Sequence, residues 1–420
     1  MEFFKKNNKI ISIILLTLIF YVRCDHGIVR GYAVVLNLIA DALGFIYCII
    51  LTKQDFESTR KSLCNPAILW LVLFQFIQFI YGHFKLFIDG DIYSMRYVVL
   101  TIMPALICYE ILWHNKSQII EIWAIVGTII IIATMITSMN YDIVWTYLKD
   151  GIFGRLGETP GGSDIDTGNL YLIMTIPLLY EIIILKKVKP YIVQAVIGIV
   201  GIILTGSKSS FIPMILVIAI MVLATAKDKK TVKRNILILL IVAIIGMAAI
   251  FLVPMLYTIL GRRIVEVFAA LNSSEFDLHT STGQRLAVID AFKKHFWESP
   301  IFGHGFYAFV QMPYSQIEEY RLASGEIAYR NIQTHMNLLE ILFSFGIFGT
   351  IVYYWYPIKQ FIDVLKSKTY VTKVIGLSLL ISIFFMNLGL EMFYKYMTPY
   401  FIYLLVYCFL NMNDNSCEGK

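Results

Sequence analysis

Twelve stretches of mostly apolar residues, joined by shorter polar segments, extend along the chain. A transmembrane helix needs roughly 17–25 largely apolar residues, and several of these stretches lie near the lower limit. The pattern therefore predicts an all-α, polytopic integral membrane protein with about 12 transmembrane helices. The predicted helices cover residues 10–22, 32–51, 66–83, 93–113, 119–139, 168–185, 191–206, 209–226, 235–258, 335–357, 371–390 and 394–411.

Two longer segments interrupt this pattern, at residues 140–166 and 260–334. A long connection in an otherwise compact protein usually carries function. The chain is accordingly divided into three parts. These are transmembrane helices 1–9 (residues 1–259), a large extracytoplasmic loop with short helices (260–334) and transmembrane helices 10–12 (335–420).

Composition and charge agree with a membrane location. The chain is 58% apolar and 15% charged, whereas a soluble domain is about 45–50% apolar and about 25% charged. The net charge of +6 is therefore attributed to basic connections between membrane helices, and no nucleic-acid partner is expected. Most lysines and arginines outside the long loop fall on the side of the termini, so both termini are predicted to be cytoplasmic.

The cysteines give no sign of a metal or a disulfide. None of the six lies in the long loop, and the chain has neither a C-x-x-C pair nor a Cys/His metal spacing. Walker and dinucleotide-binding motifs are also missing from the sequence. No metal and no cofactor are predicted.

Two outer turns carry a cation among small polar residues. Arg155 lies in a glycine-rich turn and could hold a phosphate through two parallel hydrogen bonds. Ser207 and Lys208 lie in the turn Thr205–Ser210, which has the residues of an anion-binding nest. The alternatives are an ordinary turn with Arg155 among lipid headgroups, and a snorkelling Lys208 beside capping serines.

In the large loop, the segment from Thr280 predicts a helix with Arg285 in its first turn. A cation there opposes the helix dipole, and a bound phosphate would compensate for that cost. The alternative is an ion pair of Arg285 with Asp277 or Asp290. Further along, His304 lies in a tight aromatic turn, where it could bind sugar or satisfy local backbone groups.

The loop closes at Thr334, a natural N-cap, which puts His335 at the outer mouth of a predicted membrane helix. A helix N-terminus disfavours imidazolium, so a neutral His335 could accept a proton. Asn337 and Glu340 follow on the same helix, and ionisable groups at such depths are functional candidates. The alternative for His335 is interfacial anchoring.

Five motifs follow one another along the chain: Arg155-Leu156-Gly157 followed by Asn169, Thr205-Gly206-Ser207-Lys208, Arg285 before a loop helix, Pro300–Phe306, and His335–Glu340 with Gly346 and Gly349. In this order they resemble the O-antigen polymerase and O-antigen ligase family of bacterial envelope enzymes. Two departures are a lysine at 208, where the family usually has arginine, and Met336 directly after the histidine, where many members have asparagine. The form H-x-N-x-L-E is closer to polymerases than to ligases.

The resemblance implies a GT-C-like, metal-independent glycosyltransferase of the bacterial cytoplasmic (inner) membrane. Its substrate would be a glycan on undecaprenyl pyrophosphate, and it would work beside a chain-length regulator and a flippase. Carried over by position, Arg285 and Lys208 hold the pyrophosphate and His335 activates the acceptor hydroxyl. The expected function is polymerisation of repeat units of O-antigen, capsule or exopolysaccharide.

Two alternatives stay open. One is a ligase that transfers finished glycan to a lipid or protein acceptor. The other, from a different class, is a lipid-linked glycan flippase or transporter, for which the acid Asp41 in a predicted membrane helix would be suitable. Asp41 stands alone in the sequence pattern, however, and a transporter more often has its polar site at the midplane between repeated halves.

Overall fold

The computed structural model describes residues 7–23, 33–81, 101–138, 156, 164–271, 281–306, 308–311, 316–321, 327–331, 334–390 and 392–412. Within these ranges the architecture is a helical bundle, which confirms the predicted all-α membrane fold. The helices of the first half are α1 (Asn8–Tyr21), α2 (Ala33–Gln54), α3 (Phe56–Leu63), α4 (Pro66–Tyr81), α5 (Met103–Trp113), α6 (Ile119–Ser138), α7 (Asp164–Ile183), α8 (Val188–Thr205) and α9 (Lys208–Ala224).

The second half continues with longer and shorter helices and includes the large loop. A helical turn at Pro254–Leu256 and a π-helical turn at Tyr257–Gly261 connect two of them, and 3₁₀ turns occur at Lys116–Gln118 and Phe296–Glu298. The helices are α10 (Lys229–Leu252), α11 (Arg262–Leu271), α12 (Ser281–His295), α13 (Ala308–Gln311), α14 (Asn337–Lys366), α15 (Tyr370–Asn387), α16 (Met392–Lys395) and α17 (Thr398–Leu410).

Each of the twelve predicted stretches overlaps one of these helices. Among the described residues, six helices are long and apolar enough to cross a membrane, or seven if the bent pair α3–α4 counts as one span. Shorter apolar helices, α1, α5, α9 and α17, account for four more stretches. A multi-pass membrane protein is therefore established, whereas the number of twelve crossings stays a prediction, as do the domain boundaries.

Two helices form the centre of the bundle. The described side chains of α7 are buried over most of its length, and it packs against α6, α8, α9 and α15. Almost all of α17 is buried as well. By contrast, α10 buries only Asn235 and Ile250 and presents the rest of its apolar surface outward, as a lipid-facing helix does.

One membrane helix is broken. Within α14, Gly346 has φ 64° and ψ −165°, a conformation that interrupts the helical hydrogen bonds. The turn at residues 300–305 replaces them. The amides of His304 and Gly305 donate to the carbonyls of Phe343 and Ser344 over 2.8 and 3.1 Å, and the amides of Ile347 and Phe348 donate to the carbonyls of Pro300 and Ile301 over 2.9 and 3.0 Å. Non-helical backbone is tolerated at such depths when protein satisfies it in this way.

The large loop also contains a hairpin that the sequence pattern did not indicate. Strands β1 (Gln316–Arg321) and β2 (Ile327–Asn331) pair antiparallel, with Gln316 opposite Asn331. The pairing register shifts between Glu318 and Tyr320. The hairpin adds to the short helices that were predicted for this loop.

Two sequence-based expectations are corrected. Asp41 does not stand alone: Arg23 Nη2 contacts both of its carboxylate oxygens, at 2.6 and 2.7 Å. A buried acid held by an arginine between α1 and α2 is explained by packing of these helices. In addition, α14 begins at Asn337 with Met336 as N-cap, so His335 precedes the helix.

Candidate functional site: a cationic cleft at the end of the bundle

A cleft of about 200 Å³ opens where the first turn of α9 meets α12 and the end of α15. Lys208 and Arg285 both line it, although 77 positions separate them in the sequence. None of the described lining residues is acidic. The lining consists of Ile165, Gly206, Ser207, Lys208, Ser209, Ile212, Arg285, Phe385, Leu388 and Gly389.

The turn between α8 and α9 has a shape that small residues dictate. Gly206 ends α8 in the left-handed conformation, with φ 62°, and Ser207 then becomes the N-cap of α9. The turn also packs against Gly168 of α7, where an added Cβ would collide with the side chains around Ser207. This geometry directs the first turn of α9 into the cleft, and the amides and dipole of a helix N-terminus attract anions.

The serines of this turn form a short chain of hydrogen bonds. The hydroxyls of Ser207 and Ser209 lie 3.0 Å apart, and Ser209 Oγ donates to Asn169 Oδ1 over 3.2 Å. Asn169 is itself buried on α7. The predicted polar turn is thus anchored to the central helix of the bundle.

Arg285 reaches the cleft from the side of the large loop. Its Nη2 donates to the carbonyl of Gly389 over 3.4 Å, just beyond the end of α15. On the same helix, Val288 packs into a small apolar cluster with Phe309 and Phe343. This cluster packs α12 against α13 and α14. The ion-pair alternative with Asp290 is weakened because Asp290 pairs with Lys294 at 2.6 Å.

His335, Asn337 and Glu340 lie at the mouth of α14 and are not among the described residues that line the cleft. His335 is half-buried and has φ 49°, an unusual backbone conformation for a non-glycine residue and one that often marks functional sites. Asn337 and Glu340 are fully buried. Asn337 Oδ1 accepts from the amide of Phe393 over 3.0 Å, and Glu340 Oε1 accepts from Ser344 Oγ over 2.8 Å.

One short segment connects these two groups. Gly389 binds Arg285 and Phe393 binds Asn337. Four residues span at most about 14 Å, so the anchor of Arg285 and the anchor of Asn337 lie within that distance. His335 is two residues from Asn337, which brings it to the same end of the bundle as the cleft.

His304 and Arg155 are the remaining predicted site residues. The His304 ring stacks on Phe343 with centroids 4.3 Å apart, and its Nε2 bonds the carbonyl of His295. This placement favours satisfaction of local backbone groups over sugar binding. Arg155 lies outside the described residues, but the amide of the next residue, Leu156, donates to the carbonyl of Leu204 beside the α8–α9 turn.

Sequence reasoning missed the contribution of α15. Phe385, Leu388 and Gly389 line the cleft, yet they offer only apolar surface and a backbone carbonyl. Because every residue has a carbonyl, no residue type could have signalled that contact. Ser209, by contrast, lies in the turn Thr205–Ser210, so the sequence could have indicated it as a site residue.

The described part of the chain is thus a polytopic helical protein with a basic cleft at one end. Residues 193–354, less than half of the chain, match the family model described as O-antigen ligase. Over this segment the chain is similar to the O-antigen ligase family, which agrees with the resemblance that its motifs indicate. The match includes Lys208, Arg285, His304 and His335. No curated protein matches the chain.

Proposed function

We propose that the protein is a polysaccharide repeat-unit polymerase, which joins undecaprenyl-pyrophosphate-linked oligosaccharides on the outer face of the bacterial cytoplasmic membrane. The observation that carries the proposal is the meeting of Arg285 and Lys208 in one cleft at the N-terminus of α9. Both residues fall within the segment that matches the family. A cleft with two cations is suited to a pyrophosphate.

Membrane orientation supports an outward-facing cleft. The N-terminus of α9 forms part of the cleft, and α9 ends at Ala224, just before a strongly basic stretch that includes Lys227, Lys229 and Lys230. Basic loops of this kind remain in the cytoplasm. The cleft, at the opposite end of the same helix, then opens to the outside, and both termini remain inside.

In the proposed reaction, an acceptor hydroxyl attacks the anomeric carbon of the lipid-linked donor. The new C–O bond forms as the bond from that carbon to the pyrophosphate oxygen breaks, and the electron pair leaves on the pyrophosphate. Lys208, Arg285 and the amides of the α9 N-terminus stabilise the negative charge that develops there. Arg155, which directly precedes Leu156 in the sequence, is proposed to add a third cation. Ser207 contributes its hydroxyl to the same cradle.

His335 is the proposed general base, which takes the proton of the acceptor hydroxyl as the C–O bond forms. Direct displacement inverts the anomeric centre. Asn337 and Glu340, which are buried just below, are proposed to hold the backbone around His335 and to shape the acceptor side of the site. Since the cations neutralise the leaving group, the proposed reaction needs no metal ion.

A ligase that transfers finished glycan to a lipid or protein acceptor is the second candidate. The description of the matching family model, O-antigen ligase, favours it. The H-x-N-x-L-E form at residues 335–340 favours the polymerase. The two differ only in the acceptor, so the nature of the acceptor must decide between them.

The test uses the purified full-length protein in detergent with lipid-linked repeat units as the only sugar substrate. A polymerase produces a ladder of lengthening products without nucleotide and in the presence of EDTA, and His335→Ala abolishes the ladder while the protein remains folded. Transfer only after a second acceptor is added would identify a ligase. Movement of substrate across a vesicle without any new glycosidic bond would favour a flippase, and full activity of His335→Ala would remove this residue from the mechanism.

A further inference from the structure

We propose that His304 is a positioning residue, which fixes the helix carrying Arg285 against the helix that follows His335. The inference rests on the proposed function for its consequences in catalysis, but its geometric content is independent of that function. In this role His304 aligns the two helices of the site and does not contact sugar.

The backbone of His304 supplies one of the hydrogen bonds that replace those lost at the break in α14. Its amide donates to the carbonyl of Phe343 over 2.8 Å, one of the groups released by the break at Gly346. The turn approaches so closely that a Cβ on Gly303 would lie 2.5 Å from the backbone of Ser344. The backbone of residue 304 therefore cannot move independently of the first half of α14.

The His304 ring extends the connection to α12. Its Nε2 lies 3.2 Å from the carbonyl of His295, the last residue of α12. A carbonyl only accepts, so Nε2 carries the proton in this bond. The same ring stacks on Phe343 of α14, with the ring planes 16° apart. One side chain thus contacts the end of the Arg285 helix and the face of the helix that follows His335.

Apolar side chains also join these two helices. Val288, Ala291 and Phe292 of α12 pack around Phe343, Leu339 and Phe309. The Phe292 and Phe343 rings are 6.4 Å apart. Apolar contacts are non-directional, whereas a hydrogen bond fixes a specific relative position. Catalytic groups tolerate displacements of only about 0.5 Å, so loss of this bond should misalign Arg285 relative to His335.

The first measurement is the distance between α12 and α14. Spin labels are attached to cysteines at two exposed positions, Lys294 on α12 and Leu338 on α14, in a background without the native cysteines that retains wild-type activity. His304→Leu should broaden the distance distribution between the labels. His304→Gln, which keeps a donor within reach of the carbonyl, should restore much of the narrow distribution. His295→Gln is the matched control, because its ring bonds Glu298 at the exposed surface and its carbonyl remains.

The second measurement asks whether His304 acts through Arg285. His304→Leu is expected to lower kcat roughly tenfold in the wild-type background and much less in an Arg285→Lys background, since residues that act as one unit are not additive. An unchanged label distance in His304→Leu, or equal losses in both backgrounds, would overturn the proposal and indicate direct sugar contact. If the protein forms no glycan ladder, the proposed function fails while the distance measurement still decides the role of His304.

Discussion

The polar groups at the two ends of the bundle differ in their surroundings: at one end they are buried, and at the other they border an open cleft. At the end with α3, Glu110 accepts a hydrogen bond from Ser62 and lies 3.1 Å from His114, which in turn lies 2.9 Å from Thr59. The side chains of Glu110 and His114 are only 6% and 7% exposed. At the other end, Lys208 and Arg285 border an open cleft of about 200 Å³.

This difference distinguishes a structural polar network from a candidate functional site, which the polarity of the residues alone does not. A glutamate beside a histidine has the residue types of an acid–base pair, yet here both side chains are buried and hydrogen-bonded to their neighbours. Satisfied polar networks of this kind specify packing. The cleft has space, two cations and no acidic residue among its described lining. Openness and an excess of one charge are therefore the features that identify the candidate site.

The largest expected effect is on catalysis at the cleft. Arg285→Ala should lower the rate of ladder formation about 10²- to 10³-fold, because in the proposed reaction Arg285 stabilises the charge that develops on the pyrophosphate. Abundance in the membrane should stay close to wild type. The rate is measured with purified protein and saturating lipid-linked repeat units.

Lys294→Ala is the matched control for this variant. It lies on the same helix, but it pairs with Asp290 at the surface, where ion pairs contribute little. Wild-type rates for Arg285→Ala, or equal losses in both variants, would contradict the assignment of the cleft.

The next effect concerns the broken helix α14. Gly346→Ala should lower the free energy of unfolding by about 3 kcal/mol, since φ 64° disfavours a side chain and the new Cβ would collide with the carbonyl of Ile301. Thermal unfolding in detergent is the measurement. Gly246→Ala on lipid-facing α10 is the control, because nothing lies within 4 Å of its added Cβ. Equal stability of the two variants would show that the break is not constrained.

Lys208 provides a smaller and more specific test of the cleft. Lys208→Ala should raise the KM for the lipid-linked donor about tenfold or more, while Lys208→Arg should retain or improve binding because a guanidinium holds phosphate through two parallel bonds. The kinetic constants are measured against donor concentration. A snorkelling lysine, the alternative interpretation, would leave the KM unchanged in Lys208→Ala.

Sequence patterns predicted the helices well and the site only in part. Apolar stretches located every long helix because lipid demands the same property from each span. The grouping of Lys208 with Arg285 was also predicted, since each cation lies at a turn or helix start suited to an anion. The carbonyl of Gly389 and the break at Gly346 were not predicted, because backbone groups carry no residue-type signal. The pairing of Arg23 with Asp41 was not predicted either, because it depends on how two helices pack.

The smallest expected effect compares two equivalent pairs at opposite ends. Ser62 bonds Glu110 and Ser344 bonds Glu340, and all four residues are buried. Ser62→Ala and Ser344→Ala should each lower the free energy of unfolding by roughly 1–3 kcal/mol, because a buried carboxylate loses a donor. Only Ser344→Ala should also lower the rate per folded molecule, by a few-fold, since Glu340 lies just below His335.

Thermal unfolding and ladder formation are measured on the same preparations of both variants. Normalising the rate to folded protein separates the two contributions, because loss of stability alone leaves the normalised rate unchanged. A normalised rate that falls equally in Ser62→Ala would make the closed network at the α3 end part of catalysis. A normalised rate that stays at the wild-type value in both variants would limit the site to the cleft and His335, and Glu340 would then serve only packing.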